Sequence, residues 1–207
     1  MKQFRPANVV VAGLVALALA GCSGTTAEPS ESPTPSSAAP TSSAPASPTP
    51  KPATSTSPAE NLEKPEKPEL ASEFSAAGYE AFVEYWFEAQ NYAMATGDTT
   101  LLDEVSDDGC RFCRVRSFVA HDIYDDGGWA QGGELTPKDF ITNMRPVEDY
   151  FHAGIVLQQA DGGVYLEDGS VDPDHGFEEL SIEYDFLTYF DDEAGWSAAI
   201  IEKVEDQ

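Results

Sequence analysis

Three cysteines are the residues of this 207-residue chain with the clearest chemistry, and they fall in two settings. Cys110-Arg111-Phe112-Cys113 places two thiols three positions apart. In an oxidising compartment that spacing closes a short-loop disulfide, which is the expectation here. It would pin the end of a second helix to the start of a third. Two alternatives use the same residues. A redox dithiol would draw on Arg111, Arg114 and a helix N-terminus to lower a thiol pKa, although the motif does not follow a strand in a βαβ unit. A zinc site would need His121 and a fourth ligand.

The remaining thiol, Cys22, closes the tetrapeptide Leu19-Ala20-Gly21-Cys22 behind an apolar run from Val9 to Ala20 and the cations Lys2 and Arg5. A dozen apolar residues are too few to span a bilayer, which takes about 20 in a helix, so the run reads as a signal-peptide core. The tetrapeptide is similar to the bacterial lipobox, which implies cleavage before Cys22 and a diacylglycerol thioether on its sulfur. Two or three acyl chains would anchor the mature protein stably, each buried CH₂ contributing about 0.8 kcal/mol.

Other groups are weaker candidates. Asp168, Ser170, Asp172, Asp174 and Glu179 stand at positions 1, 3, 5, 7 and 12 of a calcium loop, but Pro173 occupies the position that needs glycine and no helix pair flanks it. An acidic turn is the expectation, with no metal and no cofactor. His121, His152 and His175 are dispersed and form no base–nucleophile spacing, so no catalytic residue is assigned.

Charge removes one class of partner. The chain holds 37 acids against 11 Lys and Arg, a net −26, and lacks the basic patch that a nucleic-acid backbone requires. From Glu73 onward 31 acids face six cations, so the folded part alone carries −25. Such a domain is repelled by anionic headgroups within a Debye length of about 8–10 Å.

These residues must be positioned by a chain of uneven composition. Residues 23–70 hold 11 of the 15 prolines, no aromatic residue, and only Leu62 and Leu70 as large aliphatics. Such a stretch is expected to be a disordered stalk. The predicted organisation is therefore 1–21 signal peptide, 22–70 lipidated cysteine and linker, and 71–207 folded domain. Within the domain, apolar residues at three- and four-residue steps predict a long helix from Phe74 to Ala95, broken in its stripe only by Gln90, with Glu80, Glu84 and Glu88 outward. Gly97 ends it, and Asp98-Thr99-Thr100 caps a short second helix. A third helix is predicted from Cys113 to about Tyr124, with Val115, Phe118, Val119 and Ile123 inward. Beyond Trp129 the period moves towards two: a hairpin over 151–166 around Asp161-Gly162-Gly163, then strands 180–190 and 196–204. Helices first and an antiparallel meander second make an α+β order.

Tyr85-Trp86, Tyr92-Ala93, Ala95-Thr96-Gly97-Asp98-Thr99, Cys110-x-x-Cys113, Gly127-Gly128-Trp129 and Gly132-Gly133-Glu134 together resemble a family of actinobacterial lipoproteins of unknown function. Their domain resembles the cone-shaped α+β fold of the nuclear-transport-factor-2 (NTF2) and ketosteroid-isomerase group. The resemblance implies N-terminal helices packed on a curved antiparallel sheet, a pocket between them, and a location on the outer face of a cell membrane; it implies no reaction. Tyr85, Trp86, Tyr92 and Trp129 are the residues expected at such a pocket, with Trp196 at the sheet end. The leading expectation is non-catalytic binding of a cell-envelope protein or a small ligand, and the competing one is a pocket enzyme.

Overall fold

The computed structural model describes residues 48–205. Cys22, the signal peptide and the linker up to residue 47 lie outside them. The architecture is α+β: three helices packed against two antiparallel sheets. No described helix is long and apolar enough to cross a membrane.

Helix α1 (Ala76–Thr96) is the axis of the core. Its start is fixed by Ser75, whose Oγ accepts the Gly78 N–H at 2.9 Å. It ends at Gly97, left-handed at φ 78°, where a Cβ would stand 2.7 Å from the Tyr124 ring. Glu80, Glu84 and Glu88 form the narrow exposed stripe, as the spacing predicts, and nearly every other position up to Gln90 is buried. Helix α2 (Thr100–Glu104) follows, with Asp98 Oδ1 accepting the Thr100 N–H at 3.0 Å.

Helix α3 (Arg111–Asp125) turns a different face inward from the predicted one: Cys113, Ser117, Ala120 and Ile123 are buried. Val115 and Phe118 are exposed. Small side chains let α3 lie close to α1, whereas at about 100° per residue Val115 and Phe118 stand on nearly the opposite side of the helix. Of the predicted face, Ile123 is buried and the half-buried Val119 packs against the core.

Seven strands follow: β1 (Trp129–Gly132), β2 (Leu135–Thr142), β3 (Phe151–Gln159), β4 (Gly162–Tyr165), β5 (Val171–Phe177), β6 (Leu180–Asp191) and β7 (Gly195–Lys203). One sheet runs β2-β3-β6-β7 and the other β1-β4-β5. The expected 151–166 hairpin is therefore corrected. β3 pairs with β2 and β6, while β4 pairs with β1 and β5, because the glycine turn passes the chain from one sheet to the other. β6 and β7 do form the predicted hairpin, closing at Asp191 opposite Gly195. Register breaks between Lys138 and Ile141 and between Leu187 and Thr188 bend the larger sheet, as bulges do.

The linker boundary at 70 is also corrected. From residue 48 the chain is a strap on the domain. Lys51 and Glu60 exchange two backbone hydrogen bonds, 2.8 and 2.9 Å, around a Thr54–Ser57 turn. The physical reason lies in the tryptophans. A buried indole N–H needs an acceptor; Trp129 Nε1 donates to the Thr54 carbonyl at 2.8 Å, and Trp196 Nε1 to the Glu73 carbonyl at 2.9 Å. The proline-rich segment supplies the acceptor for Trp129, and Glu73, just beyond it, the acceptor for Trp196.

Candidate functional site

The space between α1 and the larger sheet, where the expected pocket belongs, is filled. Trp86 is fully buried, with its ring centroid 5.0 Å from Phe87, 5.6 Å from Phe186 and 6.1 Å from Phe112. Its Nε1 donates to Ser106 Oγ at 2.9 Å. Nearer the sheet end, Tyr79 stacks on Trp196 at 4.7 Å, and Phe74, Phe151 and Phe190 crowd the same indole. The Tyr79 hydroxyl reaches the Phe151 carbonyl at 3.0 Å and also that of Phe186, and burial raises its pKa far above the ordinary tyrosine value.

The four expected pocket residues do not converge. Trp86 lies in the filled interior. Trp129 lies in the smaller sheet, stacked on Tyr165 at 5.4 Å beneath the strap. Tyr85 is buried on α1 near Glu104 and Lys64, its pKa raised chiefly by burial. Tyr92 is half-buried, and its carbonyl accepts the Thr96 hydroxyl at 2.7 Å. A hollow of 230 Å³ does lie beneath the strap, between Pro52, Ala59, Leu62, Met94, Ala130 and Gly133.

Cys110 and Cys113 are joined by a disulfide. Both are buried, and Cys110 is the N-cap of α3, its sulfur accepting the Cys113 N–H at 3.2 Å. The bond thus closes the first turn of α3 on itself rather than joining α2 to α3. It uses both sulfurs, leaving neither a free dithiol nor a thiolate pair for zinc.

Sequence reasoning missed two polar clusters. In one, the Thr99 hydroxyl donates to Asp103 Oδ2 at 2.6 Å and lies 3.1 Å from His121 Nε2, while Ser117 Oγ donates to Asp103 Oδ1 at 2.7 Å. The hydroxyl has one proton. With that proton on Asp103, the imidazole must donate to Thr99 and cannot act as its base. The cluster ties α2 to α3. In the other, Gln90, the single break in the α1 stripe, has its amide assigned to the orientation in which oxygen faces donors and nitrogen an acceptor: the oxygen then accepts from Arg116 Nη2 at 2.8 Å and Nε at 3.3 Å, and the nitrogen donates to Asn91 Oδ1 at 3.0 Å. Asn91 then clasps the backbone of Leu135, N–H and C=O, at 2.9 and 2.8 Å. The chain of bonds crosses the core from α3 through α1 to β2. Burial lowers the Arg116 pKa, partly offset by Tyr184.

The acids of the candidate calcium loop are spread along a turn and β5. Asp168 Oδ1 holds the Ser170 N–H at 2.9 Å, and Asp172 Oδ2 pairs with His175 Nδ1 at 2.7 Å. Among the described residues no three metal-ligating side chains converge.

A protein-family profile matches residues 48–201, most of the chain. The chain belongs to DUF6318, a family of unknown function. The DUF6318 match begins at the strap and not at residue 71, in agreement with the strap's packing on the domain. No curated protein matches the chain. Among solved structures it is similar to the crystal structure of the intermembrane space region of chloroplast protein ARC6, at 14% identity, a TM-score of 0.45, and coverage of 64% of this chain and 98% of that one.

Proposed function

We propose that this DUF6318 chain is a non-catalytic binding domain held on the outer face of a cell membrane by lipidated Cys22. The observation that carries the binding half is the filled interior. Where a pocket enzyme needs a chamber with an ionisable group pointing into it, this domain has Trp86, Phe87 and Phe186 in mutual contact, and Trp196 packed among Tyr79, Phe74, Phe151 and Phe190. The hollow beneath the strap, 230 Å³, is smaller than the roughly 300–1,000 Å³ of ordinary ligand pockets, and larger ones, 430 Å³ beside Phe112 and Ile200 and 640 Å³ beside Gln158 and Asp161, are open to solvent, which favours a macromolecular partner over a small ligand.

The anchoring half is supported by Leu19-Ala20-Gly21-Cys22 behind its apolar run. A long first helix across a bulged antiparallel sheet supports the reading that the domain is a cone of the NTF2 kind, in a family of actinobacterial lipoproteins. On this reading the partner is another component of the cell envelope.

Labelled fatty acid is expected to enter the wild-type chain and not Cys22→Ala, which stays unprocessed; equal labelling of both would sink the anchoring half. Crosslinking on intact cells is expected to trap a discrete envelope protein. Turnover of a small molecule by the purified chain, abolished by a substitution in the interior, would instead establish an enzyme.

A further inference from the structure

Residues 48–70 carry the connection between the chain before them and the core, and they are attached unlike the rest of the molecule. None is fully buried: Ala53, Ala59, Leu62, Pro65 and Lys67 are half-buried and the others exposed. Among the described residues two hydrogen bonds tie 48–67 to the elements beyond, from Trp129 Nε1 to the Thr54 carbonyl at 2.8 Å and from Lys64 Nζ to Asp98 Oδ2 at 3.1 Å. The other bonds of the strap are its own. Lys51 and Glu60 pair through backbone and side chains, Thr54 and Ser57 close the turn, and the Asn61 amide reaches the Thr49 carbonyl at 3.5 Å. Lifting the strap therefore breaks two polar contacts and uncovers the hollow beneath it.

The attachment changes at Ala71, which is fully buried. The Glu73 carbonyl holds the Trp196 N–H at 2.9 Å, and the Phe74 ring lies 4.9–5.7 Å from those of Phe190, Phe151 and Trp196. Ser75 then caps α1. Segments with few buried contacts open locally at small cost, whereas core elements open only with the whole domain. The boundary between the two regimes falls at 71–75.

Connectivity decides how a pull acts on this arrangement. Tension arriving from before residue 48 loads the first arm of the Lys51–Glu60 hairpin, while the core holds the second arm through 61–70. Both ends of the hairpin lie on the same side of its Thr54–Ser57 turn, so its bonds are loaded one after another and not together. The Trp129–Thr54 bond comes free with the turn. Lys64–Asp98 follows, an exposed pair that adds little resistance. The pull then reaches the buried Ala71 and the Glu73–Trp196 bond.

We propose that residues 48–70 are a reversible extension of the tether: tension arriving from before residue 48 unzips and lifts them, and the opening halts at 71–75. The anchored reading above supplies the source of tension; on it, the 26 residues 22–47 precede the strap, and release adds the 23 residues 48–70 to them. The full, unlipidated chain is pulled in optical tweezers between a handle on Cys22, the one thiol outside the disulfide, and a second at the C-terminus. Two steps are expected. The first, reversible and at lower force, lengthens the chain by no more than roughly 80 Å, the reach of the 23 residues at about 3.3–3.6 Å each; the second is the core. Trp129→Phe should raise the lifted population about fivefold at a set force, the effect of one lost hydrogen bond, and leave the second step unchanged. Trp86→Ala should lower the force of the second step and leave the first. Moving the handle to Ser72→Cys in a Cys22→Ser chain should abolish the first step alone. A single step, a first step longer than 23 residues allow, or one that ignores Trp129→Phe or survives the move to residue 72 would overturn the proposal. The fatty-acid label decides anchoring separately. Lipidation of Cys22 with single-step opening removes the extension and keeps the anchor, whereas two steps in a chain that takes no lipid keep the extension and remove the anchor.

Discussion

Trp86 and Trp129 are both buried, and both donate their indole N–H at 2.8–2.9 Å, yet they are buried by opposite kinds of sequence. Around Trp86 the environment is aromatic, drawn from α1, α3 and β6. Trp129 has one aromatic neighbour, Tyr165, and is closed over by a strap rich in proline, alanine, serine and threonine that carries no aromatic ring. The difference teaches that composition reports how a segment would behave alone, not whether another surface needs it. Residues 48–62 have little apolar area of their own, but they supply a backbone acceptor to Trp129 and small apolar side chains to the hollow beside it.

If the Trp86 side is the structural centre, removing its ring should have the largest effect. Trp86→Ala deletes a fully buried side chain from a close-packed cluster, and a loss of about 3–5 kcal/mol is expected by urea denaturation. Raising the pH tests burial on both sides, at Tyr79 stacked on Trp196 and at Tyr124 beside Ala130 of β1. Burial lifts Tyr124 to about 12 and Tyr79 still higher. Because the folded state holds these protons more tightly than the unfolded chain, their contribution is complete below the ordinary tyrosine pKa near 10 and is lost as pH rises through the folded values. Stability measured by denaturation should fall steadily above pH 10. A phenolate absorbance titration should show late ionisation of these two among the eight tyrosines. A flat stability profile from pH 10 to 12 would break the comparison by showing the interior open to water.

The Gln90–Arg116 pair tests the polar thread through that interior. Gln90→Leu leaves the guanidinium in its desolvated place without its acceptor, with an expected cost of about 2–3 kcal/mol. Arg116→Met alone strands only a neutral amide and should cost less. The double variant replaces both partners by apolar groups and should recover most of the loss. Additive single effects in the denaturation midpoints would show that the two side chains do not act as a pair.

On the strap side the effects should be smaller and local. Trp129→Phe keeps most of the ring's apolar area but removes the donor to Thr54, at a cost of about 1 kcal/mol. The sharper readout is limited proteolysis, with cleavage inside 49–62 expected to accelerate more than cleavage anywhere in α1. Equal acceleration at both places would mean that the strap and the core open together, and that the two tryptophans belong to one cooperative unit.

The same contrast explains what could be read from the sequence. The α1 stripe, its glutamate face, its Gly97 stop and the β6–β7 hairpin are encoded by local periodicity and turn residues, and the structure has them where expected. The polar break at Gln90 was visible as an anomaly, but its cause lies 26 positions away in Arg116. β2 was hidden because Pro137, a left-handed Asp139 and a register break interrupt its alternation, all tolerable on an end strand. Alternation also does not say which sheet a strand joins, so β3 and β4 read as one hairpin. The expected pocket failed for a related reason: aromatic residues signal burial equally well whether they line a space or fill it.

The smallest effect is expected where charge alone joins the strap to the domain. Lys64 Nζ lies 3.1 Å from Asp98 Oδ2 with both side chains well exposed, a setting in which water screening and side-chain entropy cancel most of the attraction. Asp98 has a second engagement, since its carboxylate also holds Thr100 at the start of α2. Its pKa is lowered first by its bonds to Thr100 and only then by Lys64. A depressed carboxylate pKa contributes stability above the ordinary carboxylate range, and that contribution is lost as pH falls through the folded value. Lys64→Met should therefore leave both the melting temperature and the acid limb of the stability profile nearly unchanged, whereas Asp98→Ala should lower the first and flatten the second. If Lys64→Met instead reproduced Asp98→Ala, the strap would be holding α2 in place through its charge, and the division between a self-sufficient core and an added strap would have to be redrawn at residue 64.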